Sequence, residues 1–141
     1  MNNRSNKKYR VKDIRRGDII YAVLNGVPKS SVQKGERPCL VLSNNKSNQY
    51  STILNVYPLT GQLKDNPVHV VVNPEEVKGY LQKTSDFLGE QPTTIDRIQV
   101  IDKVGHIDED SALMEEFEKA IAIQFGFRFV GKEKEDYGDG K

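Results

Sequence analysis

The stretch Gln33-Lys34-Gly35-Glu36-Arg37-Pro38-Cys39-Leu40-Val41-Leu42 is followed, after the polar segment Asn44 to Ser51, by Ile53-Leu54-Asn55-Val56-Tyr57-Pro58-Leu59-Thr60-Gly61. Glycine and proline punctuate its first part. The two apolar runs have strand length rather than helix length, so the segment reads as loop, strand, loop, strand, loop. Arg37 opens one strand and Thr60 closes the next. If the two strands are antiparallel neighbours, a guanidinium and a hydroxyl share one edge of one sheet.

Working outward, Ile19, Ile20, Tyr21, Val23 and Leu24 predict a strand before this stretch, ended by Asn25 to Pro28, and Lys29 to Glu36 is a polar loop of the kind that carries function on a β scaffold. Pro58 cannot donate to a ladder and predicts an edge or a bulge beside Thr60. Downstream, Val68 to Val72, a short run Thr84 to Leu88 and Ile98 to Val104 predict three further strands. Glu75 to Lys83 is a helical turn or a loop excursion, and Glu90 to Arg97 reads as a loop followed by a short helical turn. Leu113, Phe117, Ala120 and Ile121 recur at helical spacing, with Asp108 as the expected N-cap and Gly126 as the terminator. Phe127, Phe129 and Val130 add one possible further pairing segment. The sum is a small, strongly bent antiparallel sheet with one terminal helix, a β-barrel or α+β domain.

The composition fits one domain with a core that needs no disulfide or metal: 141 residues, 36% hydrophobic, 29% charged, formal net charge +1. Nucleic-acid binding therefore has to come from local charge. Residues 1–16 carry seven Lys or Arg against one Asp. Residues 1–14 form a basic, flexible arm in this reading, either solvated or adding phosphate attraction, with the first eight residues disordered. Residues 131–141 are a charged tail. The lone Cys39 sits in an apolar strand and reads as a buried structural thiol. No apolar run reaches membrane-spanning length and the basic N-terminus is not a secretory signal, which places the protein in the cytoplasm with no membrane partner.

Two histidines, His69 and His106, and no Cys/His cluster argue against a zinc site, and no cofactor motif is present. His69 reads as a strand residue and His106 as a turn residue.

The run Arg16-Gly17-Asp18-Ile19-Ile20-Tyr21, the loop Ser31, Gln33, Gly35, Arg37, Pro38, the strand end Leu59-Thr60, and Glu90, Gln91, Thr94, Ile95, Asp96 together resemble the MazF/PemK toxins of bacterial toxin–antitoxin modules, from about Arg16 to about Phe127. The resemblance implies an SH3-like, CcdB/PemK-like barrel over residues 15–130 with a C-terminal helix, active as a homodimer and neutralised by a cognate antitoxin. It further implies a sequence-selective, metal-independent and cofactor-free endoribonuclease that cuts single-stranded RNA to a 2′,3′-cyclic phosphate and a 5′-OH. Arg37 and Thr60 match the family's catalytic pair, Ser31 and Gln33 its RNA-contacting loop, and Gln91 and Thr94 a second RNA loop. Arg37 suits phosphate because its planar fork matches two oxygens and keeps its charge. Where many members carry an apolar residue and an arginine after Gln91, this chain has Pro92 and Thr93. Tyr50, Tyr57 and Phe87 are candidate base-stacking residues. The competing reading is a non-catalytic protein-binding toxin of the same fold, of the gyrase-inhibiting kind.

Overall fold

The computed structural model describes residues 9–128. Eight strands and two α-helices follow in the order β1 (Asp18–Leu24), β2 (Gly35–Val41), α1 (Asn45–Tyr50), β3 (Ile53–Thr60), β4 (His69–Val72), β5 (Lys78–Gly79), β6 (Ser85–Leu88), β7 (Thr93–Asp96), β8 (Val100–His106) and α2 (Ala112–Phe125), with single 3₁₀ turns at Pro74–Glu76 and Arg97–Gln99. The strands form one coiled sheet in the order β4-β6-β3-β2-β1-β8-β5, with β7 also joined to β3. Every pairing is antiparallel. The bent sheet and single long helix agree with the expected β-rich α+β architecture.

Successive residues of a strand point to opposite faces, and here both faces are covered. Ile19, Leu40, Tyr57, Leu59, Phe87 and Phe117 form one core. Ile20, Cys39, Val41, Leu54, Val56 and Ile95 form the other. Strands buried on both faces read as continuous apolar runs, which is how Cys39 to Leu42 reads. Helix α2 closes the first core through Leu113, Met114, Phe117 and Ala120, with the ring centres of Phe117 and Tyr57 lying 4.5 Å and 5.0 Å from that of Phe87, both pairs tilted. Burying side chains of this size is worth about 1.5 to 3 kcal/mol each, so this aromatic row is a main support of the fold.

Pro58 sits where β3 changes partners. Ile53 to Val56 pair with β7 and Leu59 and Thr60 pair with β6, all on one side of the strand. Pro58 lies between these two ladders, while its other side pairs with Cys39. The edge or bulge expected at Pro58 is not found: β3 is an interior strand and its register with β2 runs unshifted through Pro58. Irregular register between β1 and β8, at Ile19/Ile20 and Tyr21/Ala22, coils the sheet further.

The Arg16-Gly17-Asp18 run serves the fold. Arg16 donates to the Leu42 carbonyl at 3.0 Å and pairs with Glu118 of α2 at 2.6 Å, joining sheet to helix. Gly17 has φ 96°, and a Cβ there would lie 2.3 Å from the Ile107 carbonyl oxygen, so only glycine fits. The buried Asp18 carboxylate takes the Arg15 N–H at 2.8 Å, His106 Nδ1 at 2.7 Å and Lys103 Nζ at 3.3 Å. His106 is thus the paired last residue of β8 rather than a turn residue.

Several local expectations are corrected. The polar connection after Ser43 is helix α1, because Asn44 accepts the Ser47 N–H at 2.8 Å as an N-cap. Thr93 to Asp96 pair with β3 as a strand rather than forming a loop. Helix α2 is capped by Ser111, whose hydroxyl accepts the Met114 N–H at 3.1 Å, and not by Asp108. Gly126 does close it in the left-handed region, φ 69°. Tyr9 and Ile14, assigned from sequence to a flexible arm, are buried: Ile14 joins the second core and the Arg97 guanidinium lies 5.7 Å from the centre of the Tyr9 ring. The expected disorder of residues 1–8, the pairing of Phe129 and Val130 and the tail 131–141 fall outside the described residues. Phe127 pairs with no strand and stacks on Phe125. No described helix is long and apolar enough to cross a membrane.

Candidate active site

The β2–β3 register places Cys39 opposite Pro58. Extended two residues past that rung, it sets Arg37 level with Thr60. The strands splay there, and a cleft of about 350 Å³ opens between them, lined by both residues together with Gln33, Tyr80 and Lys83. The edge-sharing geometry expected from the sequence is present.

Arg37 is half-buried. Its Nε donates to the Lys34 carbonyl at 3.0 Å, which fixes the side chain and leaves both terminal nitrogens without a partner among the described residues. A guanidinium held by one edge and open at the other is arranged for a bidentate oxyanion. Thr60 is buried, 7% exposed, yet borders the cleft. Its Oγ1 accepts the Gln62 N–H at 3.2 Å, so the hydroxyl proton stays available for donation.

Around this pair, the loop before β2 is tied down by one glutamine. Gln91 accepts the Gln33 N–H at 2.9 Å through Oε1 and donates to the Ser31 carbonyl at 3.2 Å through Nε2. Gln33 reaches the cleft, and its own side-chain Oε1 is buried without a partner. Ser31 and Gln91 are brought to the cleft rim by this clasp but do not line it. Thr94 lies elsewhere: it faces Asn55 across the β3–β7 ladder, its hydroxyl accepting from the Asn55 amide at 3.2 Å.

The three proposed stackers are not in the cleft. Tyr57 and Phe87 are core residues because strand alternation points them at α2, and the exposed Tyr50 sits on α1. The aromatic side chains that do line the cleft are Tyr21 and Tyr80, the latter 58% exposed. Sequence reading missed Tyr80, Gln82 and Lys83, since Glu75 to Lys83 carried only a turn-or-loop signal. The one usable cue was an aromatic, Tyr80, directly after a glycine in an otherwise charged stretch.

Beside the cleft, His69 bridges Asp86 and Glu90: Nδ1 is 3.0 Å from Asp86 Oδ2 and Nε2 is 2.9 Å from Glu90 Oε2. Burial pushes the His69 pKa down, but the Glu90 hydrogen bond and the two carboxylate charges outweigh it, and the net shift is upward. Burial pushes the Cys39 thiol up to about 12 against a smaller pull from Arg37, which agrees with its structural role.

A small coiled barrel that presents a free guanidinium and a threonine hydroxyl in an open edge cleft defines a protein built to hold an anionic group. Residues 15–125 match the family model described as PemK-like, MazF-like toxin of type II toxin–antitoxin system. The chain belongs to this family. It is 31% identical over 121 residues to the endoribonuclease MazF of Staphylococcus saprophyticus, covering 86% of this chain and 98% of that protein. Among solved structures it superposes on an endoribonuclease in complex with its cognate antitoxin from a mycobacterial species (TM-score 0.65, 20% identity, 82% of this chain and 98% of that one). It also superposes on MazF from Deinococcus radiodurans (TM-score 0.62, 22% identity, 80% and 96%). These structural likenesses show a shared fold.

Proposed function

We propose that this toxin is an endoribonuclease that cleaves single-stranded RNA without a metal, with Arg37 and Thr60 as its catalytic residues. The observation that carries the reading is the arrangement of Arg37 and Thr60: two unpaired guanidinium nitrogens and an available hydroxyl proton facing one cleft in a chain of the MazF family.

RNA brings its own nucleophile. The 2′-oxygen attacks the adjacent phosphorus, the P–O5′ bond breaks, and the products are a 2′,3′-cyclic phosphate and a 5′-OH. The proton lost by the 2′-OH is balanced by the one gained at O5′. Charge builds on the non-bridging oxygens in the transition state. Arg37 stabilises that charge with two N–H donors and Thr60 with one O–H, a class of effect commonly worth about 3 to 4 kcal/mol per donor. Arg37 stays protonated throughout and is not the base. Gln33, whose N–H is held by Gln91, borders the path of the bases and contributes to sequence choice, with Gln91 in turn tied to the Ser31 carbonyl; Thr94, on the β3–β7 ladder, has no part in the cleft. The proposal includes a homodimer, whose two-fold axis would set two such clefts on one face, and a cognate antitoxin that would cover them; the mycobacterial endoribonuclease of the same fold is solved in complex with its cognate antitoxin. With a guanidinium and hydroxyl poised together, the gyrase-inhibitor reading is not favoured.

The test is incubation of the protein with a long single-stranded RNA in EDTA. Discrete cuts with cyclic-phosphate ends are expected. Arg37→Ala and Thr60→Ala are each expected to lower kcat by about 100-fold or more. Intact RNA at high enzyme excess would return the protein-binding reading to first place.

A further inference from the structure

Lys83, an exposed residue, lines the same cleft as Arg37. A methyl group on Gly61 would lie 2.2 Å from Lys83 Cε and 2.7 Å from Nζ, so the lysine chain crosses the backbone immediately after Thr60. Gly61 has an ordinary backbone conformation, and its lack of a side chain here makes room for the lysine. At its other end the lysine is anchored, because the buried Ser85 hydroxyl donates to the Lys83 carbonyl at 2.9 Å. Nζ has no hydrogen-bond or ion-pair partner among the described residues. Arg37 and Lys83 are the cations of the cleft lining and Glu36 its carboxylate.

A solvated surface lysine is usually free of both constraints. This one lies across the glycine that follows the catalytic threonine and lines a cleft that already holds a guanidinium. Two cations in the lining of one cleft fit one phosphodiester whose oxygens gain charge as the reaction proceeds.

We propose that Lys83 is a third catalytic residue, a point charge on the reacting phosphate beside the Arg37 fork and the Thr60 hydroxyl, seated there by Gly61. The assignment rests on the nuclease reading of the same cleft.

The experiment measures kcat and KM on one short RNA containing a mapped cut site, for wild type, Arg37→Ala, Lys83→Ala, Lys83→Arg, Gly61→Ala and the double variant Gly61→Ala/Lys83→Ala. Thermal midpoints are recorded in parallel. Lys83→Ala is expected to lose about 100-fold in kcat with an unchanged melting temperature, and Lys83→Arg to regain most of it. Gly61→Ala, which forces the lysine chain aside, is expected to lose about tenfold alone and nothing further once Lys83 is already alanine. That non-additivity separates a positioned cation from a general effect at either site. If wild type cuts, Arg37→Ala does not, and Lys83→Ala keeps kcat within twofold, the assignment is overturned. A change in KM and salt dependence alone places Lys83 on a flanking phosphate and also overturns it. Wild type that leaves the RNA intact removes the nuclease reading and this assignment with it.

Discussion

Asp86 stands opposite Thr60 in the β3–β6 ladder, and its carboxylate holds His69 Nδ1 at 3.0 Å and the Lys64 N–H at 2.9 Å. The rung that bears the Thr60 hydroxyl is therefore the rung that fastens the loop leaving it. With its ring between two carboxylates and its side chain 6% exposed, His69 is most stabilising when protonated. Its folded pKa is raised above the free value of about 6.5. The stability it contributes is fully present below about 6.5 and lost as pH rises through the higher folded value. The melting temperature of His69→Gln, followed from pH 5.5 to 9, should fall furthest below wild type at the acid end and approach it at the alkaline end. A gap that widens with pH would contradict the clasp.

Cys39 gives a second pH-linked expectation. It is fully buried and burial pushes its thiol up to about 12, so at pH 8 it stays in the unreactive thiol form. Iodoacetamide at pH 8 should leave the folded chain unmodified for hours and label it once in denaturant. Mass spectrometry reads this directly, and rapid single labelling of the native protein would mean that the second core opens.

The glutamine clasp predicts a split in kinetic constants. Gln91 touches the Gln33 N–H and the Ser31 carbonyl and lines no part of the cleft. Gln91→Ala frees the loop that frames the substrate path without touching Arg37 or Thr60. KM should rise about tenfold, roughly 1.4 kcal/mol of binding, while kcat stays within twofold. Steady-state cleavage of a short RNA checks this, and a fall in kcat at constant KM would move Gln91 to the reacting centre.

What the sequence shows of this molecule follows from how locally each feature is encoded. The strands around residues 33–60 were legible because apolar runs bounded by Gly35, Pro38 and Gly61 have a strand signature, and antiparallel pairing puts Arg37 and Thr60 at one sheet edge, while a role for the two came only from the family resemblance. Helix α1 was not legible, since Asn44 is equally a turn residue and a cap, and its polar sequence shows no apolar stripe. Tyr57 and Phe87 could be read from sequence as core or as base stackers, because a strand buried on both faces has no alternation to say which side is wet. Lys83 and Tyr80 reach the cleft through a loop between β5 and β6, and nothing in their neighbourhood marks a meeting with Gly61. The buried pairs His69–Asp86 and Asp18–His106 depend on registers between strands far apart in sequence.

Arg97 extends the same point to the N-terminal segment. It is buried, 5% exposed, and burial pulls its pKa down against the opposing pull of Tyr9 and Asp13. Its two terminal nitrogens donate to the Asn48 carbonyl of α1 and the Lys12 carbonyl, and its plane lies 5.7 Å from the Tyr9 ring centre. One guanidinium thus joins Tyr9 to Ile14, helix α1 and the start of β8. Arg97→Ala leaves two carbonyls without their donor and removes the packing under Tyr9. Each unsatisfied buried group costs about 1 to 3 kcal/mol, so a loss of about 2 to 4 kcal/mol is expected in the urea unfolding free energy. Arg97→Lys should recover little of it, because a single ammonium cannot reproduce the planar fork that reaches both carbonyls. The cleft lies on β2 and β3, away from these contacts, so kcat of the folded fraction should stay within twofold. An Arg97→Ala protein within about 0.5 kcal/mol of wild type would mean that the N-terminal segment is held by Ile14 alone.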